Sequence, residues 1–314
     1  MNNQSFRELF VRKYKNFRHL LSSLGQVVLN GYPARNLVVI GVTGTDGKTT
    51  TAHLIYEMLK TQGYKAALIS TVGAFIGEKT LDTGFHVTTP DASHLQPLIR
   101  KIRDAGSKYL VMETTSHGLD QHRVLGCNFW AGVLTNVTHE HLDYHKTFEN
   151  YKKAKGKLFK KVKVSVLNKD DEQYAYFRSV VKTGSRLVSY SLKRKADLKA
   201  GGIRLKNGQM YFSISEGGKT YKVATKLIGD YNVSNILAAT AMARKCGVKW
   251  ENILMVLKIF KGVPGRMEMV TAGQPFSVII DFAHTPNALE KVLETLKKLC
   301  KGKLIVVFGC AGER

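Results

Sequence analysis

The sequence is short of cysteine, of acid and of long apolar runs. Its 314 residues include four cysteines, Cys127, Cys246, Cys300 and Cys310. They are scattered and form no C-x-x-C pair. That excludes a disulfide framework and a cysteine zinc site, and reduced thiols are expected. No apolar run approaches the roughly 18 residues of a membrane span. The N-terminus is basic and His19–Leu29 is moderately apolar, but no small-residue cleavage site follows, which argues against a signal peptide. A short helix packed on the domain is expected there, with a membrane-surface contact as the second reading. Asp and Glu number 24 against 48 Lys and Arg, a net charge of +24. Such an excess can serve nucleic-acid binding. Here the cations are spread along the chain, and no aromatic–basic signature or recognition-helix motif accompanies them. No nucleic-acid partner is therefore expected. The densest run, Lys152–Lys163, reads as the solvated face of a helix.

The rest of the composition, 44% hydrophobic and 23% charged, is that of a globular protein long enough for two domains. Strand-like and helix-like segments alternate through the first 170 residues. Strands are predicted at Leu37–Val42, Ala66–Ser70, Tyr109–Met112, Gly132–Val137 and Val164–Leu167. Helices are predicted near Thr51–Gln62, Ala92–Ala105 and Phe148–Lys160. This is the rhythm of a doubly wound, mostly parallel α/β sheet. From Arg186 to Ile228 the pattern changes to alternating runs split by Lys206-Asn207-Gly208 and Glu216-Gly217-Gly218, which predicts antiparallel hairpins. Two helices, near Val233–Lys245 and Trp250–Phe260, lead to a linker at Gly262–Gly265. A strand (Ser277–Phe282), a helix (Pro286–Leu299) and a strand (Leu304–Phe308) then read as the start of a second, Rossmann-like α/β domain. One such unit cannot bury a sheet core, so a C-terminally truncated fragment is expected.

The densest chemical signal is Leu37–Thr51, L-V-V-I-G-V-T-G-T-D-G-K-T-T-T. A buried strand feeds a loop with Gly44 and Gly47, followed by Lys48, Thr49 and Thr50 and then a helix. Glycines let backbone N–H groups turn toward an anion, the lysine reaches outer phosphates, and a Thr hydroxyl can hold Mg²⁺. The common spacing G-x-x-x-x-G-K-[ST] would need glycine where Val42 stands, so this is a compact variant. Glu113 ends an apolar strand and can face that loop as a Mg²⁺ ligand; alone it reads more readily as a surface acid. Two polar segments change the balance: Met112–Arg123, M-E-T-T-S-H-G-L-D-Q-H-R, and Thr135–His145, T-N-V-T-H-E-H-L-D-Y-H. His139, His141 and His145 could suggest zinc, but their spacing on an irregular segment argues against it.

These segments resemble the Mur ligases, and within them the UDP-N-acetylmuramoyl-tripeptide synthetase type. The resemblance rests on T-G-T-D-G-K-T-T-T at Thr43–Thr51, with Asp46 where asparagine is usual, and on T-T-P-D at Thr88–Asp91. It continues through E-T-T-S-H-G-L with Q-H-R at Glu113–Arg123, H-L-D-Y-H…E-N-Y…A-K at His141–Lys155 and G-D-Y-N-V-S-N at Gly229–Asn235. It ends with G-R-M-E at Gly265–Glu268, D-F-A-H-T-P at Asp281–Pro286 and F-G-C-A-G-E-R at Phe308–Arg314. Three regions are implied: a short segment 1–36 in place of the usual uridine-binding domain, a central ATP-binding domain 37–262, and the start of the C-terminal domain at 263–314.

The resemblance implies an ATP- and Mg²⁺-dependent amide ligase of peptidoglycan precursor synthesis. It would be a cytoplasmic monomer without stable membrane insertion. ATP would phosphorylate a carboxylate of UDP-N-acetylmuramoyl-L-alanyl-D-glutamate, and the amine of a diamino acid, meso-diaminopimelate or L-lysine, would displace phosphate. By the same resemblance Gly44, Thr45, Asp46, Gly47, Lys48, Thr49 and Thr50 hold ATP, joined by Asn232, Asn235, Arg266, Asp281 and His284. Thr49 and Glu113 hold one Mg²⁺; His141 and a carbamylated Lys155 serve a second. Thr88, Thr89, Thr115, Gln121 and Arg123 hold the muramoyl substrate. Plainer readings stand beside these: a helix N-cap pair for Asn232 and Asn235, a turn residue for His284, a solvated lysine for Lys155. Alternatives for the whole chain are a folylpolyglutamate- or cyanophycin-synthetase-like ligase and a catalytically silent nucleotide-binding fragment.

Overall fold

The computed structural model describes residues 3–81 and 88–309, with side chains from Tyr14 onward. Cys310–Arg314, the end of the last family-like block, lie outside the described residues.

The chain opens with a long helix, α1 (Asn3–Leu29). It is far longer than the His19–Leu29 helix expected. Next come β1 (Val38–Thr43), α2 (Lys48–Thr61), β2 (Ala66–Ile69), β3 (Ala74–Ile76), β4 (Lys79–Leu81), α3 (Ala92–Asp104), β5 (Tyr109–Glu113) and α4 (Ser116–Asp120). After these follow β6 (Phe129–Leu134), α5 (Leu142–His145), α6 (Phe148–Phe159), β7 (Val164–Asn168), α7 (Tyr174–Val180) and β8 (Arg186–Ser191). The chain continues through β9 (Leu198–Lys206), β10 (Gln209–Glu216), β11 (Lys219–Thr225), α8 (Asp230–Lys245) and α9 (Trp250–Ile259). It finishes with β12 (Glu268–Val270), β13 (Val278–Ile280) and α10 (Pro286–Leu299).

Eleven strands form one sheet in the order β11-β10-β9-β8-β7-β6-β1-β5-β2-β3-β4. The centre, from β9 to β2, is parallel, and antiparallel strands extend it at both edges. The expected hairpins are therefore a wing of the main sheet. Successive residues of β1 serve opposite faces, as a strand's period of two demands. Ile40 and Val42 enter a core with α2, α8 and α9, whereas Val39 packs with Leu95, Ile99 and Ile102 of α3. A third cluster joins Leu134 and Leu167 to Tyr151, Leu158 and Phe159 of α6. Burial on both faces explains why the central strands read as continuous apolar runs.

β12 and β13 make a separate antiparallel pair. The strand expected at Leu304–Phe308 does not form. Its backbone has no ladder partner among the described residues, and Ile305 and Val307 stand 71% and 94% exposed. An apolar β-branched run takes strand geometry only when a neighbour completes its hydrogen bonds.

Candidate functional site

The parallel strands β1, β5 and β6 end side by side, and their carboxyl ends carry the site, as open α/β sheets favour. β1 delivers Thr43 into the loop Gly44–Gly47, and α2 starts at Lys48. Two glycines are required by approach as well as by conformation. A Cβ on Gly44 would sit 1.8 Å from Thr135 Oγ1, and one on Gly47, at φ 79°, would sit 2.2 Å from Asn235 Oδ1. The segment after β6 pins the loop. Asn136 O accepts from Thr45 N at 2.8 Å, Asn136 Oδ1 from Asp46 N at 2.9 Å, and Thr135 Oγ1 donates to Asp46 O at 2.6 Å.

Two lysines converge there. Lys48 Nζ donates to Gly44 O at 3.1 Å and Thr45 O at 2.7 Å. Lys155 Nζ, from α6, donates to the same Gly44 carbonyl at 2.7 Å. Lys155 is only 2% exposed and its ammonium lies 4.4 Å from the Tyr151 ring centroid, so it is not a solvated lysine. Burial and then the Lys48 charge hold its pKa well below the usual lysine range, against Glu140 and Asp46. Lys152 of the same helix is also buried, so α6 is not the uniformly wet face expected.

Glu113, at the end of β5, is fully buried. It accepts from Thr49 Oγ1 at 3.1 Å, Thr71 N at 2.9 Å and Thr71 Oγ1 at 3.2 Å. Burial pushes its carboxyl pKa up, against the pull of the Thr71 N–H, Lys48 and Arg266. Arg266 reaches in from the C-terminal segment to donate to Thr49 Oγ1 at 3.1 Å. A hydroxyl and a dry carboxylate side by side form an all-oxygen donor pair. That pair suits Mg²⁺, which takes one or two protein ligands and completes its shell with phosphate and water.

Glu140 occupies the next position around the loop. Its carboxylate meets His284 Nε2 at 3.4 Å, His141 Nε2 at 3.5 Å and the Tyr151 hydroxyl at 3.3 Å. Burial would raise its pKa, but the His284 hydrogen bond and the charges of Lys48, His141 and Lys155 hold it at about 2. The Glu140 contact raises the His284 pKa, and Nδ1 of that ring faces Phe282 O at 2.9 Å, so both nitrogens have acceptors. His141, at φ 54°, is lowered chiefly by burial. The three histidines of its segment diverge. His139 stacks on Phe148, His141 meets the His117 ring at 4.7 Å, and His145 is buried near Tyr151.

The remaining expected residues divide. Asn235 packs on Gly47 and donates to Asn232 Oδ1 at 3.2 Å, while Asn232 bonds Ile228 O. The cap of α8 is Gly229, so this asparagine pair lies in its first turns and is no N-cap. Thr50 is buried in the first turn of α2. Asp281 is spent on Met267 N and Ala283 N, shaping the turn that presents Arg266 and His284. Thr88 accepts from Thr71 Oγ1 at 3.0 Å, and Thr89 ties Glu113 O to Thr115. Arg123 is held by Gln121 at 2.7 Å, by Asp91 at 3.0 Å and by Thr89 O. These five form a polar shelf beside Glu113. Glu140, Asn136, Thr71 and Tyr151 also reach the site. Glu140 and Asn136 sit inside the dense Thr135–His145 block, and Tyr151 inside the family-like His141–Lys155 block.

Comparison with known proteins decides among nucleotide-loop folds. The Mur ligase middle domain matches residues 42–243, and the Mur ligase glutamate ligase domain matches residues 265–314. The chain belongs to the Mur ligase family. A UDP-N-acetylmuramoyl-L-alanyl-D-glutamate–2,6-diaminopimelate ligase of Bacillus cereus is 43% identical over 294 residues, which cover 90% of this chain and 59% of the relative. A UDP-N-acetylmuramyl-tripeptide synthetase of Roseiflexus is 38% identical over 299 residues, again 90% and 59%. This Mur ligase chain thus spans about three fifths of the length of those relatives. A solved UDP-N-acetylmuramoyl-L-alanyl-D-glutamate–2,6-diaminopimelate ligase superposes with a TM-score of 0.75 at 32% identity, covering 89% of this chain and 57% of the other. The folylpolyglutamate synthetase of L. casei superposes at 0.71 with 21% identity, over 89% and 76%, a likeness of fold alone. No helix among the described residues is long and apolar enough to cross a membrane.

Proposed function

We propose that the protein forms an amide bond between UDP-N-acetylmuramoyl-L-alanyl-D-glutamate and a diamino acid, with ATP as phosphoryl donor. The observation that carries this reading is the buried Lys155 amine, 2.7 Å from the phosphate-loop carbonyl of Gly44. A phosphate loop alone serves many reactions; the buried second lysine beside it is a perturbed titrating group of the kind that gathers at catalytic sites. The relatives named above favour 2,6-diaminopimelate over lysine as the diamino acid.

Phosphoryl transfer between two anions is catalysed mainly by positioning and charge neutralisation. Loop N–H groups and Lys48 would receive the β- and γ-phosphates, with Asn232, Asn235, Arg266, Asp281 and His284 closing the nucleotide side. Thr49 and Glu113 would hold one Mg²⁺, and His141 with carbamylated Lys155 a second. When bound, Mg²⁺ supplies positive charge to the transferring phosphoryl oxygens. A lysine amine kept neutral by burial can add CO₂, which converts a cation into an oxygen ligand of negative charge. The Thr88–Arg123 shelf would grip the muramoyl peptide and aim its carboxylate at the γ-phosphate. Carboxylate oxygen attacks phosphorus and ADP leaves; the diamino-acid amine then attacks the acyl carbon, loses its proton and expels phosphate.

Segment 1–36, a central domain 37–262 and a C-terminal unit from 263 onward are the proposed regions, in a cytoplasmic monomer. Phosphate release is the decisive measurement, with ATP, Mg²⁺, the muramoyl dipeptide and 2,6-diaminopimelate each omitted in turn. Release that requires all four, with tripeptide in the product, is expected. Nucleotide binding with no dipeptide-dependent turnover would instead mark a silent nucleotide-binding protein.

A further inference from the structure

α10 lies beside the sheet domain with little apolar packing: of its 14 residues only Val292 is buried. Three polar contacts join its end of the chain to the loop. Two belong to the nucleotide side proposed above, Arg266 to Thr49 Oγ1 at 3.1 Å and His284 to Glu140 at 3.4 Å. The third has no role yet. Asn287 Nδ2 donates to Asp46 Oδ2 at 3.0 Å, across 241 positions of sequence.

Both partners are fixed on their own side. The backbone of Asp46 is held by the segment after β6. Its N–H donates to Asn136 Oδ1, and its carbonyl accepts from Thr135 Oγ1 and from Asn136 Nδ2. The side chain is left to meet α10. Asn287 stands in the first turn of that helix, whose N-cap Thr285 is buried and accepts from Ala288 N at 3.2 Å. Such a cap ties the turn to its helix. His284 lies three residues earlier, and Asp281 fastens the same turn to Met267 N, next to Arg266. A seat made at Asp46 therefore sets where both His284 and Arg266 stand.

The pairing is directional. An ionised carboxylate only accepts, and the amide supplies the N–H. Asp46 also stands where the family-like loop usually carries asparagine. A carboxylate beside a phosphate site opposes anion binding by its charge. Removing it would help the nucleotide if charge were all it contributed. We propose that Asp46 and Asn287 are positioning residues, whose contact seats the turn carrying His284 and Arg266 over the Gly44–Thr50 loop and so tightens nucleotide binding. This inference rests on the ATP-dependent reading of the site.

Titration of the full chain with ADP and Mg²⁺ at fixed salt tests it. Asp46→Ala and Asn287→Ala should each weaken binding about tenfold, and the double variant no further, because one contact is lost in all three. Asn287→Asp sets carboxylate against carboxylate and should weaken binding at least as much. Adding Asp46→Asn to it exchanges donor and acceptor, and should return affinity to within about twofold of wild type. A second readout needs no nucleotide. Amide hydrogen exchange across residues 281–290 should speed up several-fold in either alanine variant and recover in the exchanged pair. Additive losses, no recovery in the exchanged pair, unchanged amide exchange, or tighter binding by Asp46→Ala would each overturn the proposal. The last is what charge repulsion alone produces. Wild-type protein that binds no nucleotide would sink the ligase reading instead, and amide exchange would still decide whether the seat exists.

Discussion

The loop end of the sheet and the hairpin wing β9–β11 are built on opposite rules. In the wing, Met210, Phe212 and Ile214 alternate inward with polar neighbours turned out, and Tyr221 stacks on Trp250 at 3.8 Å. Nothing there is charged and dry. At the loop end Lys155, Glu113, Thr49 and Asn235 are all buried, and every one is held by a named polar partner. The wing gains stability from area removed from water. The loop end accepts desolvated charge, which costs stability unless each charge is compensated. Perturbed titrating groups gather at functional sites, which makes this end of the sheet the candidate.

The sharpest test of that contrast is Lys48→Ala. Removing the loop's main cation should cut dipeptide-dependent phosphate release by on the order of 10³-fold or more and weaken nucleotide binding, with the melt nearly unchanged. Wild-type turnover in this variant would end the comparison. Lys155→Ala should lower turnover by on the order of 10²-fold or more, with partial rescue by added acetate. Lys155→Arg should not be rescued, since it keeps the charge and fills the space. Full activity in the alanine variant would return Lys155 to a packing role.

Paired glycine substitutions probe both regions with the same chemistry. Gly47→Ala meets Asn235 at 2.2 Å, whereas a Cβ on Gly208, in the β9–β10 turn at φ 69°, meets nothing within 4 Å. The first should cost about 2–3 kcal/mol and nucleotide binding, the second about 1 kcal/mol and no binding. Chemical denaturation with parallel nucleotide titration separates them; equal costs would mean that the loop is not specially packed.

The smallest effect expected is in pH. His284 is raised above its usual 6.5, so its contribution is complete below 6.5 and fades as pH climbs through the raised value. Glu140 is depressed from 4.5 to about 2, so its contribution is complete above 4.5 and fades as pH falls toward 2. Between pH 4.5 and 6.5 both are present, and there His284→Gln should lower the melting temperature most. A difference that grows above neutral pH would contradict the ion pair.

Legibility in the sequence followed the same divide. The central strands and the wing were readable because burial on two faces or one leaves a pattern in side-chain polarity. The Gly44–Thr50 loop was readable because Gly44, Gly47 and Lys48 satisfy a backbone and charge requirement that few other residues meet. Glu140 was not, because its role depends on His284, far along the chain, arriving at 3.4 Å. Thr71 was hidden for the same reason, being an ordinary residue made useful by Glu113. The strand expected at Leu304–Phe308 shows the converse: local propensity without a neighbour makes no sheet.

Two amines share one oxygen at Gly44, and that sharing has a chemical consequence. Burial and the neighbouring Lys48 charge press Lys155 toward its neutral form, in which the nitrogen carries a free electron pair. A free pair in a dry pocket has two electrophiles open to it, a proton and carbon dioxide. The first product is a cation and the second an anion, so the loop's charge differs by two between them. Dissolved carbon dioxide and acidity would then set how much of the protein is competent, before any substrate arrives.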